Sequence, residues 1–413
     1  MFRGRLVGLL LGAVCLASPA GARERRRPTQ EITFERAMQL ASERGPDVAV
    51  ARARLSEARG RVDSASVRRL NPRLEVSAGP RFSATEPTID WSVGARQWVE
   101  VGGQRAKRVE AAGAGVEAAA ARADDAKRLL RRDVGLVFVR ALYWSRRVAL
   151  AQESLDVAEA IDEVARRRHE LGDTGGLEAS VASLSLMRAH IDEVRARVAL
   201  GQAEGRLKVL LGFEAGMGLV ARGDLRQLGL GVGTVSAKAS DVSPRPDLRA
   251  LMADIRQAGL EARVGGAARV PNIALGAGYS REEGADIVQA TLAVALPFFD
   301  HGQGRVSVAR SRRVRVETSL RGARRRVAIE VDTAKETSAR LRLAVRQFEA
   351  RGLAMIDRSE RVATASYAAG AMPLAEQLAV RRELLQAKLD YVDLLLSAAC
   401  ARVEVMASMG ATR

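Results

Sequence analysis

Beyond its first segment the sequence has one cysteine, Cys400, so no disulfide can form within that part of the chain and no cysteine cluster can ligate a metal. Histidine is nearly as scarce. His169, His190 and His301 are the only three, and none lies in a spacing suited to zinc or copper. Aromatics make up 4% of the residues, too few for base-stacking platforms, although the formal charge is +17. That charge is spread along the chain among Asp and Glu, which argues for a solvated arginine-rich surface and against nucleic acid as a partner. No apolar run after the first segment is long enough for a membrane helix, so any crossing of a bilayer must use strands. There is no Ser/His/Asp arrangement. Gly102-Gly103 and Gly302-Gln303-Gly304 lack the Lys-Ser/Thr of a phosphate loop. The chain is expected to hold no cofactor and no metal and to be no enzyme.

What is present begins with an export signal. Arg3 and Arg5 precede an apolar core at 6–16, and Ala20-Gly21-Ala22 fits a small-residue cleavage site. Residues 1–22 are read as a removed signal peptide, and their loss lowers the charge by two, to +15. Lipidation at Cys15 is the alternative, but Gly12-Ala13-Val14 before it is a poor match.

The rest of the chain is written twice. Pro46-Asp47 recurs as Pro246-Asp247, and Asn71-Pro72-Arg73-Leu74 as Val270-Pro271-Asn272-Ile273. Trp98-Val99-Glu100 with Gly102 and Arg105 recurs as Phe298-Phe299-Asp300 with Gly302 and Arg305. Leu171-Gly172 recurs as Ala369-Gly370. Landmarks that keep one order and nearly one offset indicate duplication. The expected units are 23–212 and 244–413, joined by a linker or equatorial segment at 213–243.

Proline placement gives each unit its architecture. None occurs between Pro87 and Pro244 or between Pro297 and Pro373. The stretches 104–171 and 304–369 are rich in Ala, Arg, Leu and Glu, which favour helix, whereas an interior proline costs about 3 kcal/mol. Each therefore predicts a helix on the order of 100 Å long. Glycine-marked breaks at 172–176 and 370–373 then lead into a further helix. In the second copy Leu385, Leu389, Val392, Leu396, Ala399, Val403 and Met406 keep a coiled-coil spacing. Leu184, Met187, Ile191, Val194 and Val198 do so more weakly in the first.

Two segments per unit change period. Alternating apolar residues predict strands at about 72–82 and 88–99, and at about 271–280 and 287–296. Strands near ten residues, with Trp98, Phe298 and Phe299 at one end, suit a tilted membrane barrel with an aromatic girdle. Four strands cannot close in lipid, because their edges would leave backbone groups unpaired. Several copies must combine, and three would supply twelve strands.

With these residues in place, the chain resembles the TolC-like outer-membrane efflux proteins over its whole mature length. It is most similar to the branch serving heavy-metal cation resistance. The resemblance is carried by Gln97-Trp98-Val99-Glu100-Val101-Gly102-Gly103-Gln104-Arg105 and by Leu296-Pro297-Phe298-Phe299-Asp300 with Gln303-Gly304-Arg305. It implies a mainly α fold with a small β part, in which the duplicated helix-strand-strand-long helix-helix unit forms a trimeric 12-stranded β-barrel on a long α-helical barrel. It also implies an outer-membrane location with a periplasmic helical extension, a periplasmic adaptor and an inner-membrane proton-driven transporter as partners. The function implied is a passive exit duct for heavy-metal cations in a tripartite system. Gly172, Gly175, Gly176, Gly370 and Pro373 match the adaptor-contacting tips. Gly102, Gly103, Gly302 and Gly304, from their own position between strand and helix, read as hinges at a membrane boundary. Glu178 and Glu376 match a pore constriction, although both could equally be solvated helix glutamates; a further acidic position of the family is Ala379 here. Two alternatives stand beside this reading: export of drugs or secreted proteins through the same architecture, or a periplasmic coiled-coil adaptor with no channel.

Overall fold

Pro46 and Pro246 each stand at the first position of a 21-residue helix, where a missing backbone N–H leaves no gap in the hydrogen bonding. These helices open the two copies in a computed structural model that describes residues 29–82, 87–172, 175–214, 216–231 and 245–410. The leader at 1–22 with Cys15, residues 173 and 174 of the first tip, and 232–243 of the connecting segment lie outside the described residues.

The first copy runs through α2 (Pro46–Ser66), β2 (Arg73–Arg81), β3 (Thr88–Val99), α3 (Gln104–Glu170) and α4 (Gly176–Leu211). The second runs through α6 (Pro246–Gly266), β5 (Ile273–Glu282), β6 (Ala285–Val294), α7 (Gln303–Ala368) and α8 (Leu374–Ser408). The long helices have 67 and 66 residues, about 100 Å each at 1.5 Å per residue. Gly135 interrupts nothing in α3: a Cβ there would press on Val403 and Met38, so the glycine lets α8 and the helix carrying Met38 approach closely. β6 ends at Val294, short of the expected boundary, because the chain turns away ahead of Pro297, which cannot donate to a ladder.

Four more elements stand outside this repeated set of five: β1 (Thr29–Ile32), α1 (Phe34–Arg44), β4 (Gly218–Ala221) and α5 (Leu225–Leu230). β1 and β4 pair in parallel, Thr29 opposite Gly218. The segment after α4, expected as a linker or equatorial segment, contributes β4 and α5 to the main core. In that core Ile32, Leu40, Phe138, Val139, Leu207, Leu219 and Val403 pack together around the middle of the long helices. Burial of apolar surface here, at about 25 cal/mol per Å², is the main force holding the protomer together.

Around that core the helices form a row. α3 is its central post, flanked by α2 and α6 on the half nearer the sheet and by α4 and α8 on the other half; α7 lies beyond α6 and α8. The sheet repeats this lateral order, β2-β3-β5-β6, all antiparallel. β2 and β6 are its open edges, standing above the outermost helices α2 and α7.

Candidate functional site

The register sorts the four strands into two faces. Leu74, Val76 and Ala78 lie opposite Ala95, Val93 and Trp91, and the same row continues through Leu275 and Ala277 to Leu292 and Ala290. Leu74, Val76, Ile89, Val288 and Leu292 on this face are each about 70–80% exposed. No apolar layer covers them, so this face has the surface of a protein that meets lipid. The other face carries Glu75, Ser77, Ser92, Arg96, Gln289 and Thr291 with glycines at 94, 276 and 278. A cavity of about 160 Å³ on it makes the polar face the concave one. Ser77 and Ser92 share a 2.8 Å hydrogen bond across the strands, and Arg96 lies 3.6 Å from Glu75. At about 3.3 Å per residue and a tilt near 45°, ten-residue strands span about 23 Å, the height of an outer-membrane apolar band.

The far end of the sheet is charged. Arg81 bonds Asp90 at 2.6 Å and Glu283 at 2.9 Å, and the Tyr279 hydroxyl donates to Asp286 at 2.5 Å. At the helix end Phe298 and Phe299 are 77% and 95% exposed, as a membrane-interface girdle requires. Trp98 differs from the expectation that grouped it with them. It sits opposite Ala274 on the register of Arg96, the polar face, and is half-buried.

The strand-to-helix junctions are built alike in both copies. Gly103 and Gly302 are the N-caps of α3 and α7 with φ of 71° and 84°, a left-handed conformation that side chains resist. A Cβ on Gly302 would also overlap the carbonyl oxygen of Gly265. Gly102 is required by space instead, since a Cβ would lie 2.7 Å from that of Val270. Gly304 sits in the first turn of α7 with open space around it, so neither space nor a left-handed backbone requires a glycine there. The sequence reading missed the residues that lock these corners, Gln104 and Gln303. Gln104 Oε1 accepts from the Gly102 N–H at 2.8 Å and its Nε2 donates to the carbonyl of Val270 at 3.2 Å, tying the first copy to the second. Gln303 Oε1 accepts from the His301 N–H at 3.0 Å, and its Nε2 donates to the carbonyl of Phe299 at 2.8 Å. Their shared offset of 199 was the available signal. Beside Gln104 a buried bidentate pair joins Arg108 to Glu100 at 2.6 and 2.9 Å.

At the opposite end both long helices close on a left-handed glycine, Gly172 (φ 80°) and Gly370 (φ 71°). The Ala371 N–H reaches back to the carbonyl of Ser366 and the Gly370 N–H to that of Tyr367, the paired bonds of a Schellman turn. Gly175 and Pro373 are the equivalent N-caps of α4 and α8, and Gly176 opens α4. Glu178 and Glu376 both fall in the first helical turn, where the helix dipole favours a carboxylate. Ile161, Ala165, Ala182 and Leu374 pack into a small core that brings the two tips together. Higher up, Lys388 on α8 bonds Glu153 on α3 at 2.8 Å and Glu360 on α7 at 3.1 Å. Burial opposes its charge, yet the two carboxylates hold its pKa above the ordinary value. Among the described residues no group of three or more His, Cys, Asp or Glu could hold a metal ion, and no helix is long and apolar enough to cross a membrane.

The model of the family described as "Outer membrane efflux protein" matches residues 37–213 and 242–411, one match on each copy. The cobalt-zinc-cadmium resistance protein CzcC of Cupriavidus metallidurans is 25% identical over 376 residues, covering 90% of this chain and 88% of its own. The crystal structure of CusC, in work on folding and transmembrane channel formation, superposes with a TM-score of 0.73 at 18% identity, covering 91% of this chain and 92% of that one. The Campylobacter jejuni CmeC outer membrane channel gives 0.74 at 15% identity, covering 91% and 85%. An apolar-faced sheet on a duplicated helical row, matched by one family model across both copies, has one reading: the chain belongs to the outer membrane efflux protein family, and it is an outer-membrane channel with a periplasmic helical extension and not an enzyme.

Proposed function

We propose that three copies of this chain close into one duct, a 12-stranded barrel continuous with a helical tube, and that the duct is the exit of a tripartite pump for heavy-metal cations. The observation that carries this reading is that a single protomer is an open piece of wall along its whole length. β2 and β6 have no outer neighbour in the four-stranded sheet. α4 packs on α3 through Ala182, Ala189, Ala196 and Ala203, seven residues apart, and leaves its larger apolar stripe outside. In that stripe Leu184, Met187, Ile191, Val194 and Val198 are 46–61% exposed. α7, at the other end of the row, exposes Val308, Ile329, Leu343, Met355 and Val362. In the duct one edge meets the other in a head-to-tail contact, which gives a ring when the rotation between copies closes. Unpaired strand edges are prohibitive in lipid, so closure and insertion go together.

The glycine-capped tips then form the lower mouth, where an adaptor docks and links the duct to an inner-membrane proton-driven transporter. Glu178 and Glu376, repeated around the axis, make acidic rings that favour cations. Likeness to a cobalt-zinc-cadmium resistance protein supports metal as cargo. Two measurements test the reading. Mass determination in detergent is expected to give three chains per particle, and a monomer ends the closed-duct idea. Deletion of the gene is expected to raise sensitivity to cobalt, zinc or cadmium; unchanged metal sensitivity with raised drug sensitivity moves the cargo to organic compounds.

A further inference from the structure

Just below the sheet lies a cavity of about 1120 Å³ touched by α2, α3, α6 and α7 at once. Its floor is made of small residues, among them Ala58, Ala112, Gly115 and Ala119, which leave room for the long side chains at its rim. That rim is unbalanced, with seven arginines against four carboxylates. Four of the arginines are neutralised: Arg61 by Glu57, Arg108 by Glu100, Arg122 by Asp254 and Arg312 by Glu261. Arg54, Arg69 and Arg305 have no carboxylate partner among the described residues, and all three are exposed; the fourth rim carboxylate, Asp300, accepts from the Gly302 N–H, so with Glu100 counted the wall keeps two more arginines than carboxylates. A second cavity of about 220 Å³ shares Arg69, Arg108 and Arg305 and continues the same wall toward the strands.

Resting on the reading of this chain as a channel, the geometry points to an anion-attracting vestibule at this level of the tunnel. A concave wall of low dielectric focuses the field of charges along it. Closing the ring repeats the three unpaired guanidinium groups around the lumen, and their field acts on ions that pass within about one Debye length of the wall, about 8 Å at physiological salt. Small anions and carboxylates are concentrated there, while a bare divalent cation meets a barrier. The tunnel has two electrostatic stages, acidic at the tips and basic beneath the barrel.

The test uses the intact oligomer in planar lipid bilayers under a potassium chloride gradient. Wild type is compared with the triple variant Arg54→Gln, Arg69→Gln, Arg305→Gln and with the corresponding Lys triple, and all three must keep the wild-type oligomer mass. The reversal potential of the Gln triple is expected to move toward cation preference, with the chloride-to-potassium permeability ratio falling by about threefold or more, while the Lys triple stays near wild type. A Gln triple that matches wild type overturns the inference, whatever the sign of the wild-type potential, and leaves the channel reading standing. Absence of any conductance in wild type removes the channel reading itself and this inference with it.

Discussion

α3 and α7 are copies of one element, 67 and 66 residues long, and they are packed in opposite ways. α3 is buried on both flanks nearly from end to end, with alanines at 111, 114, 118, 121 and 123 where α2 and α6 approach and larger residues from Leu130 to Leu150 in the main core. α7 buries a single seam in which Ala309 and Val316, and later Ile356 and Ala363, are seven residues apart. Their hairpin partners are reversed, since α4 is an edge and α8 is interior. Duplication supplied two equal hairpins, and assembly then used one long helix as the post of the protomer and the other as the surface left for a neighbour.

The comparison is broken most forcefully at Phe138, which is fully buried in α3 and meets Phe34 edge-on with ring centroids 5.6 Å apart. Phe138→Ala is expected to cost about 3–5 kcal/mol, read from denaturant unfolding in detergent by circular dichroism. A loss below about 1 kcal/mol would mean that α3 is not the post described here.

The next effect belongs to the edges. Ile191→Glu on α4 and Leu343→Glu on α7 alter residues that are 47% and 57% exposed in the protomer. Each leaves protomer helicity intact and weakens every copy-to-copy contact by at least about 2 kcal/mol, because a carboxylate is buried without a partner. Gel filtration with light scattering is expected to show single chains; an undisturbed oligomer from both variants contradicts the α4-to-α7 contact.

How much of this was legible depends on the length of the signal. Proline-free stretches and period-two segments extend over many residues, so the helical hairpins and the strand pairs could be read directly from the chain. β1 and β4 could not. They are four residues each, they pair in parallel across the first copy, and four residues carry no usable periodicity. α5, six residues long, was hidden for the same reason. The apolar stripe of α4 was visible, but its partner was not. Heptad spacing reports that a seam exists, and the alanine row through Ala189 and Ala196, which makes the contact within the protomer, has little contrast in sequence. At the junctions glycine was legible as a type, while the difference between Gly302 and Gly304 depends on the carbonyl of Gly265, which only the fold brings near.

That difference sharpens the comparison of the two junctions. Gly302→Ala forces a side chain into a left-handed conformation against the Gly265 carbonyl and is expected to cost about 2 kcal/mol. Gly304→Ala lies in open space within a helix and is expected to be neutral or to stabilise by up to about 1 kcal/mol. Thermal unfolding of the two variants side by side decides it, and equal shifts would remove the distinction.

The smallest effect concerns how α8 is held between the two long helices. The Tyr143 hydroxyl on α3 donates to Asp393 of α8, and the Tyr391 hydroxyl of α8 donates to Glu349 on α7, both at 2.7 Å. Burial, with the hydrogen bond to the carboxylate, pushes both phenols up to about 12. Folding thus favours the protonated phenol. The stability that each adds is complete below the unfolded phenol value near 10 and drains away as pH rises through about 12. Absorbance at 295 nm should therefore show Tyr143 and Tyr391 still neutral at about pH 11 in the folded protein, with one late-titrating phenol fewer in Tyr143→Phe or Tyr391→Phe. Each variant should lose about 1 kcal/mol at neutral pH, the worth of one hydrogen bond. A late titration that persists unchanged in both variants would show that these two phenols are not the groups clamping α8 to its neighbours.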